Sequence, residues 1–117
     1  MKTVLIADDA QFMRLCLRQI LEKRGFQVVA EAANGHEAIA KYRLHNPDIV
    51  TMDITMPDMD GIAAVKELKK IDPEAKIIVI SAMGSMTFIY DAISAGASGF
   101  IVKPFKEEDV IKNLIKL

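Results

Sequence analysis

Short runs of aliphatic and β-branched residues alternate along the chain with longer stretches whose apolar positions recur every three or four residues. Four of the short runs, at residues 4–7, 28–32, 49–52 and 77–80, read as buried strands, and a fifth, weaker one lies at 99–102. They lack the apolar/polar alternation of a sheet with one wet face. Strands covered on both faces, and hence a parallel sheet, are the expected outcome. In the first intervening stretch Phe12, Met13, Cys16, Leu17, Ile20 and Leu21 share a helical face, with Arg14, Arg18 and Glu22 opposite and Gly25 as a stop. A second helix is predicted over 35–45, with Ala38, Ile39 and Tyr42 inward and Pro47 beyond its end. A third, over 62–71, turns Val65 and Leu68 inward and Lys66, Lys69 and Lys70 outward, and closes at Asp72-Pro73. The fourth covers 85–95 and stops at Gly96. The last, over 107–117, sets Val110, Ile111, Leu114 and Ile115 on one face, and Glu107, Glu108 and Asp109 suit the positive end of its dipole.

Five βα units in succession predict a doubly wound, three-layer α/β sandwich with right-handed crossovers. The 117 residues are expected to form one domain, 1–117, with no linker, repeat, low-complexity segment or output domain.

Composition narrows the function. Fifteen Lys and Arg against sixteen Asp and Glu give a net charge of −1, without the basic footprint of a nucleic-acid binder. With 51% hydrophobic and 26% charged residues the chain is not of the disordered class. A single cysteine excludes a disulfide framework, and no Cys/His cluster spells a zinc site. No apolar run approaches the roughly 18 residues needed to cross a bilayer. Asp8 and Asp9 end the first apolar stretch at Ala7, short of a signal-peptide core, so a cytoplasmic protein is expected.

In an open parallel sheet, ligands bind beyond the carboxyl ends of the strands. Asp8 and Asp9 follow the first strand, Asp53 the third, Ser81 the fourth and Lys103 the fifth. Any one of these alone reads as well as a solvated loop residue or a helix cap; polar groups of these kinds on four of five strand ends do not. Crowded carboxylates repel, so one takes up a proton or a cation binds among them. An exposed, all-oxygen donor set without imidazole or thiolate suits Mg²⁺ or Mn²⁺. Lys103 and Ser81 are then natural partners for phosphoryl oxygens. A carboxylate is itself a possible nucleophile, and Asp53, at a central strand end, is the best placed.

Asp8-Asp9, the run Met52-Asp53-Ile54-Thr55-Met56-Pro57 with Gly61, Ser81-Ala82, and Lys103-Pro104-Phe105 together resemble the receiver domain of two-component response regulators. The resemblance covers the whole chain. Ala10-Gln11-Phe12-Met13-Arg14 and Ser81-Ala82-Met83-Gly84 are most similar to the single-domain chemotaxis regulators of that family. It implies a flavodoxin-like sheet of strand order 2-1-3-4-5. It implies that Asp53 accepts a phosphoryl group from a phosphohistidine on a histidine kinase, the chain being no ordinary enzyme but a phospho-acceptor that assists its own phosphorylation and dephosphorylation. Asp9 would ligate Mg²⁺ directly, Asp8 largely through water, and the backbone carbonyl of Thr55 would complete the protein's share. Ser81 and Lys103 would bond the phosphoryl oxygens, and Phe100 would be the aromatic that turns inward as Ser81 moves. The bond matching Lys103–Pro104 is commonly cis in such domains, which leaves its isomer here to the structure. A monomer is implied, reading out through helix 4, strand 5 and helix 5 around Ile89, Tyr90, Ile93, Lys103 and Lys106. Its partners would be the flagellar motor switch and a phosphatase; a phosphorelay intermediate or a receiver with a non-chemotaxis partner is the alternative.

Two departures matter. Phe100 lacks the hydroxyl of the tyrosine that many chemotaxis regulators carry there. Thr55 and Met83, two residues beyond Asp53 and Ser81, are not strong bases, so slow dephosphorylation is expected. From another class, an aspartate-nucleophile Mg²⁺ phosphatase would need a second acid where Thr55 stands. A flavin or dinucleotide site would need phosphate-cradling amides or a G-x-G-x-x-G after the first strand, where two aspartates lie instead. A non-phosphorylated interaction domain is a further alternative. The remaining chemistry-bearing residues have plainer readings: Cys16, Met13, Met52 and Met86 as packing, His36 and His45 as surface or caps, Asp58 and Asp60 as loop solvation or capping around Gly61.

Overall fold

Each apolar run forms a strand, and each amphipathic stretch a helix that covers it. The computed structural model describes residues 2–82 and 84–117. In chain order the elements are β1 (Thr3–Ala7), α1 (Gln11–Lys23), β2 (Gln27–Ala32), α2 (Gly35–His45), β3 (Ile49–Asp53), α3 (Gly61–Ile71), β4 (Lys76–Ser81), α4 (Met86–Ala95), β5 (Gly99–Val102) and α5 (Glu107–Ile115). The five strands are parallel throughout and ordered β2-β1-β3-β4-β5.

The pleat sends successive side chains to opposite faces, and the core divides accordingly. Val4, Ile6, Ile49, Ile78 and Ile80 pack against Leu17 and Leu21 of α1 and Val110 and Leu114 of α5. Leu5, Val50, Met52, Ile77 and Val79 pack against α2, α3 and α4, through Ala38, Tyr42, Ala64, Val65, Leu68 and Ala92. In β2 the pairing jumps from Val4↔Val28 to Leu5↔Ala30, a bulge at Val29. The extra residue resets the alternation, so Val28 joins the α1/α5 core while Ala32 joins the other. Across the second layer the Tyr42 hydroxyl of α2 donates to Asp72 Oδ2 at 2.9 Å. Burial, and then this carboxylate, push the phenol up to about 12.

Several expectations are corrected at the helix margins. Phe12 is 75% exposed; at 3.6 residues per turn it sits about 140° around α1 from Leu17, outside the buried stripe. Ile115 is exposed at the last turn of α5, whose helix stops before residue 117. Met86, expected in the packing, is the first residue of α4 and is 78% exposed. Cys16 is half-buried rather than buried. Ser85 precedes α4 as its cap, accepting from the Phe88 N–H, and Asp60 caps α3 by accepting from the Ala63 N–H at 2.9 Å. Met13 is half-buried, Met52 buried, and His36 and His45 are exposed. The expectation for Met83 lies outside the described residues. Among the described residues no helix is long and apolar enough to cross a membrane.

Candidate functional site

The strand order decides which strand ends meet. Because β3 lies between β1 and β4, Asp53 stands between the Asp8-Asp9 pair after β1 and Ser81 at the end of β4. Asp8, Asp9 and Asp53 each bring a carboxylate oxygen within 4.8 Å of the others. From the edge of the sheet, Lys103 reaches in. Its Nζ lies 3.1 Å from Asp8 Oδ2 and 3.7 Å from Asp53 Oδ1.

Local structure fixes each group. The Asp8 N–H continues the sheet by donating to the Ala32 carbonyl at 2.9 Å. Its Oδ1 accepts from the Ala10 N–H at 2.8 Å and turns the chain into α1, whose N-cap Ala10 offers no side-chain cap. Asp53 is registered opposite Ile80 on β4, and its carboxylate accepts from the Thr55 N–H. The loop that follows is closed by the Gly61 N–H, which donates to the Ile54 carbonyl at 2.8 Å. A Cβ on Gly61 would come 2.1 Å from the Asp53 carbonyl oxygen; the start of α3 therefore packs directly on the backbone of Asp53. Ser81 is buried opposite Val102, and its carbonyl accepts from the Lys103 N–H at 2.8 Å. The Lys103–Pro104 peptide is cis, the form common in the domains it resembles. Phe100 is half-buried, registered with Val79, and packs on the core under α2, α3 and α4. By the period-two rule Val79 and Ser81 share a sheet face, so Phe100 and Ser81 lie on the same side.

The site is less exposed than the sequence reading expected. Asp8 and Asp53 are only 1% and 6% exposed; Asp9 is the exposed member. Burial pushes the Asp53 carboxyl up to about 6; Lys103 opposes this, Asp8 adds to it, the Thr55 N–H opposes it, and Asp9 adds to it. With all three acids ionised, one ammonium leaves two negative charges uncompensated. A divalent cation fits that deficit, and the donor set, oxygen only, suits Mg²⁺ or Mn²⁺.

One part of the neighbourhood was not legible as part of the site. Arg14, read as part of the polar face of α1 and of the run 10–14 that resembles chemotaxis regulators but given no role at the site, sends a guanidinium N–H to the Asp8 backbone carbonyl and donates through Nε to Glu31 Oε1 at 2.9 Å. Arg18 pairs with the other Glu31 oxygen at 2.8 Å. Burial works against ionising Glu31, but Arg18 and Arg14 together hold its carboxyl below the ordinary range. The available signal was the spacing of four between two arginines on one helix face; their acidic partner on β2 has no sequence signature.

Residues 4–115 match the model of the response regulator receiver domain. The chain belongs to the response regulator receiver family. It is 58% identical to the chemotaxis protein CheY of Bacillus subtilis over 113 residues, 97% of this chain and 94% of that protein. It is also 58% identical to the CheY of Thermotoga maritima, covering 99% of this chain and 97% of the relative. Among solved structures, CheY in the CheX-CheY-BeF3-Mg complex of Borrelia burgdorferi superposes with a TM-score of 0.96 at 42% identity, over 98% of this chain and 87% of that one. The fold is thus that of a receiver domain, and the acidic cluster sits where the strand ends of such a sheet converge.

Proposed function

We propose that Asp53 is the phospho-acceptor of this receiver and that its phosphorylation drives a chemotaxis response through the face formed by α4, β5 and α5. The observation that carries the reading is the convergence of Asp53 with Asp8, Asp9 and Lys103 at adjacent strand ends. An Asp53 carboxylate oxygen attacks phosphorus of a phosphohistidine on a histidine kinase. The new O–P bond forms as the N–P bond breaks, and the imidazole leaves and takes a proton from solvent. A bound Mg²⁺, or Mn²⁺, would supply positive charge that offsets both the carboxylates and the phosphoryl oxygens. Asp9, the exposed acid, is the readiest direct ligand. Asp8, whose oxygens already serve Lys103 and the Ala10 N–H, would hold the metal largely through water, and the Thr55 carbonyl would complete the set.

Phosphorylation adds about −1.5 to −2 of charge and strong acceptor oxygens. Lys103, within reach of Asp53, would bond one phosphoryl oxygen and the Ser81 hydroxyl another. Drawing Ser81 inward makes room for Phe100, and the preference of the phosphoryl group for that arrangement shifts the population. The readout face would centre on Ile89, Tyr90, Ile93 and Lys106. The high identity to CheY proteins along almost the whole of both chains supports a cytoplasmic, monomeric, single-domain regulator spanning 1–117, acting on the flagellar motor switch. Without a strong base at Thr55, its phosphoryl group would be lost slowly and a separate phosphatase would be required.

Mass spectrometry after incubation with acetyl phosphate and Mg²⁺ tests the acceptor. One phosphoryl addition on the Asp53 peptide is expected, and none in Asp53→Asn, whose amide is a poor nucleophile. Undiminished labelling of the same peptide in that variant contradicts the assignment.

A further inference from the structure

Asp9, the exposed acid of the cluster, is held in an unusual way. Its carboxylate has no hydrogen-bond partner among the described residues, so no side-chain partner holds it and the placement of its backbone decides where its rotamers can reach. The backbone on its N-terminal side is the Asp8–Asp9 peptide, and the carbonyl of that peptide accepts from Arg14 Nη1. Arg14 is in turn held from the far side. Its Nε donates to Glu31 Oε1 at 2.9 Å, and its side chain is only 15% exposed. Glu31 belongs to β2, is registered beside Ile6, and is braced by Arg18 through its other oxygen. Lys41 of α2 donates to the Glu31 backbone carbonyl at 2.6 Å. A chain of contacts therefore runs from edge strand β2, through Glu31 and Arg14, to the peptide that carries Asp9.

We propose that Arg14, clamped by Glu31, is the positioning residue that orients the Asp8–Asp9 peptide for divalent-cation binding. The inference rests on the acidic cluster being the Mg²⁺ site. A guanidinium so close to a cation site would ordinarily weaken it by repulsion. Here Glu31, shared with Arg18, and Glu22, which also pairs with Arg18 at 3.2 Å, together balance the two guanidiniums, leaving the directional hydrogen bond to the carbonyl as the dominant effect. Arg18 is the internal control, because it shares Glu31 but makes no contact with the Asp8 carbonyl. Partners that hold a metal ligand in place are worth about 10- to 100-fold in affinity.

Isothermal titration of the full chain with Mg²⁺ alone provides the test, repeated by Mn²⁺ electron paramagnetic resonance. Arg14→Ala is expected to weaken Mg²⁺ binding about tenfold, while Arg18→Ala stays within about twofold of the parent chain. Glu31→Gln is expected to weaken it too, more strongly at low ionic strength, because it leaves the Arg14 charge unscreened. Labelling by acetyl phosphate in Arg14→Ala should recover at saturating Mg²⁺, which a general loss of structure would not allow. Arg14→Met keeps the apolar stem without the donor and serves if the alanine variant does not fold; the same loss is expected. Parent-like Mg²⁺ affinity in Arg14→Met, or an equal loss in Arg18→Ala, overturns the inference. No Mg²⁺ binding by the parent chain would instead overturn the underlying site.

Discussion

Helices α3 and α4 are neighbours of similar length, each capped by a side chain at its start, and yet they are held very differently. α3 buries Gly61, Ala64, Val65 and Leu68, and its first residue packs on the backbone of Asp53. α4 buries only Ala92, although it is the more apolar helix; Met86, Tyr90 and Ile93 face solvent. The cause lies beneath them. α3 covers the centre of the sheet, whereas α4 lies toward β5, a four-residue strand at its edge. Capping and helix propensity are local and similar, so burial is what separates them. The lesson is a division of labour: the proposed acceptor, Asp53, stands on the firmly packed side, and the segment proposed to transmit the signal is the one with least to lose by moving.

The comparison breaks most easily in the core of α3. Leu68→Ala is expected to cost about 2–5 kcal/mol in urea denaturation, the usual range for a fully buried leucine. A loss near zero would mean that α3 is not the anchor its packing indicates.

The Asp53 side also carries a built-in cost. The Asp53 carboxyl stands at about 6 in the fold, above its ordinary value of 3.8. A raised carboxyl favours the protonated folded state, so its ionisation destabilises the fold as pH rises from about 4 to 6 and does so fully above that. Without divalent metal, Asp53→Asn should therefore be more stable than the parent chain by about 1–3 kcal/mol at pH 7 and nearly equal to it below pH 4. Mg²⁺ should narrow the gap by stabilising the parent. Denaturation in EDTA at the two pH values checks this; an equal difference at both would remove the electrostatic cause.

The smallest effect is expected on α4. Ile93→Ala should change stability by less than about 0.5 kcal/mol, as for exposed positions generally. Amide exchange in the parent chain should be faster along α4 than along α3. Matching protection of the two helices would erase the distinction.

Much of this was legible in the chain. The aliphatic runs fell on all five strands, and the three-to-four spacing on all five helices, because backbone geometry imposes those periods wherever a face is buried. The acidic residues, Ser81 and Lys103 were recognisable by their place at strand ends. Phe12, Met86 and Ile115 were misread as packing because apolar identity near a helix end says little about whether anything lies opposite. Arg14 was read as surface since nothing local couples it to Glu31, seventeen residues away.

The sequence alone determined the order of elements, the end of the first apolar run at Asp8, and the kinds of donor available to a cation. The place of β3 between β1 and β4 was legible only through the family resemblance; the tertiary structure alone decided that Asp8 and Asp53 are buried while Asp9 is not, and that Asp53 is harder to ionise than an ordinary carboxyl. Periodicity and turn chemistry act over a few residues, so they can be read in one dimension. Desolvation and charge repulsion depend on every group brought close, and that is settled only when the strands have taken their places.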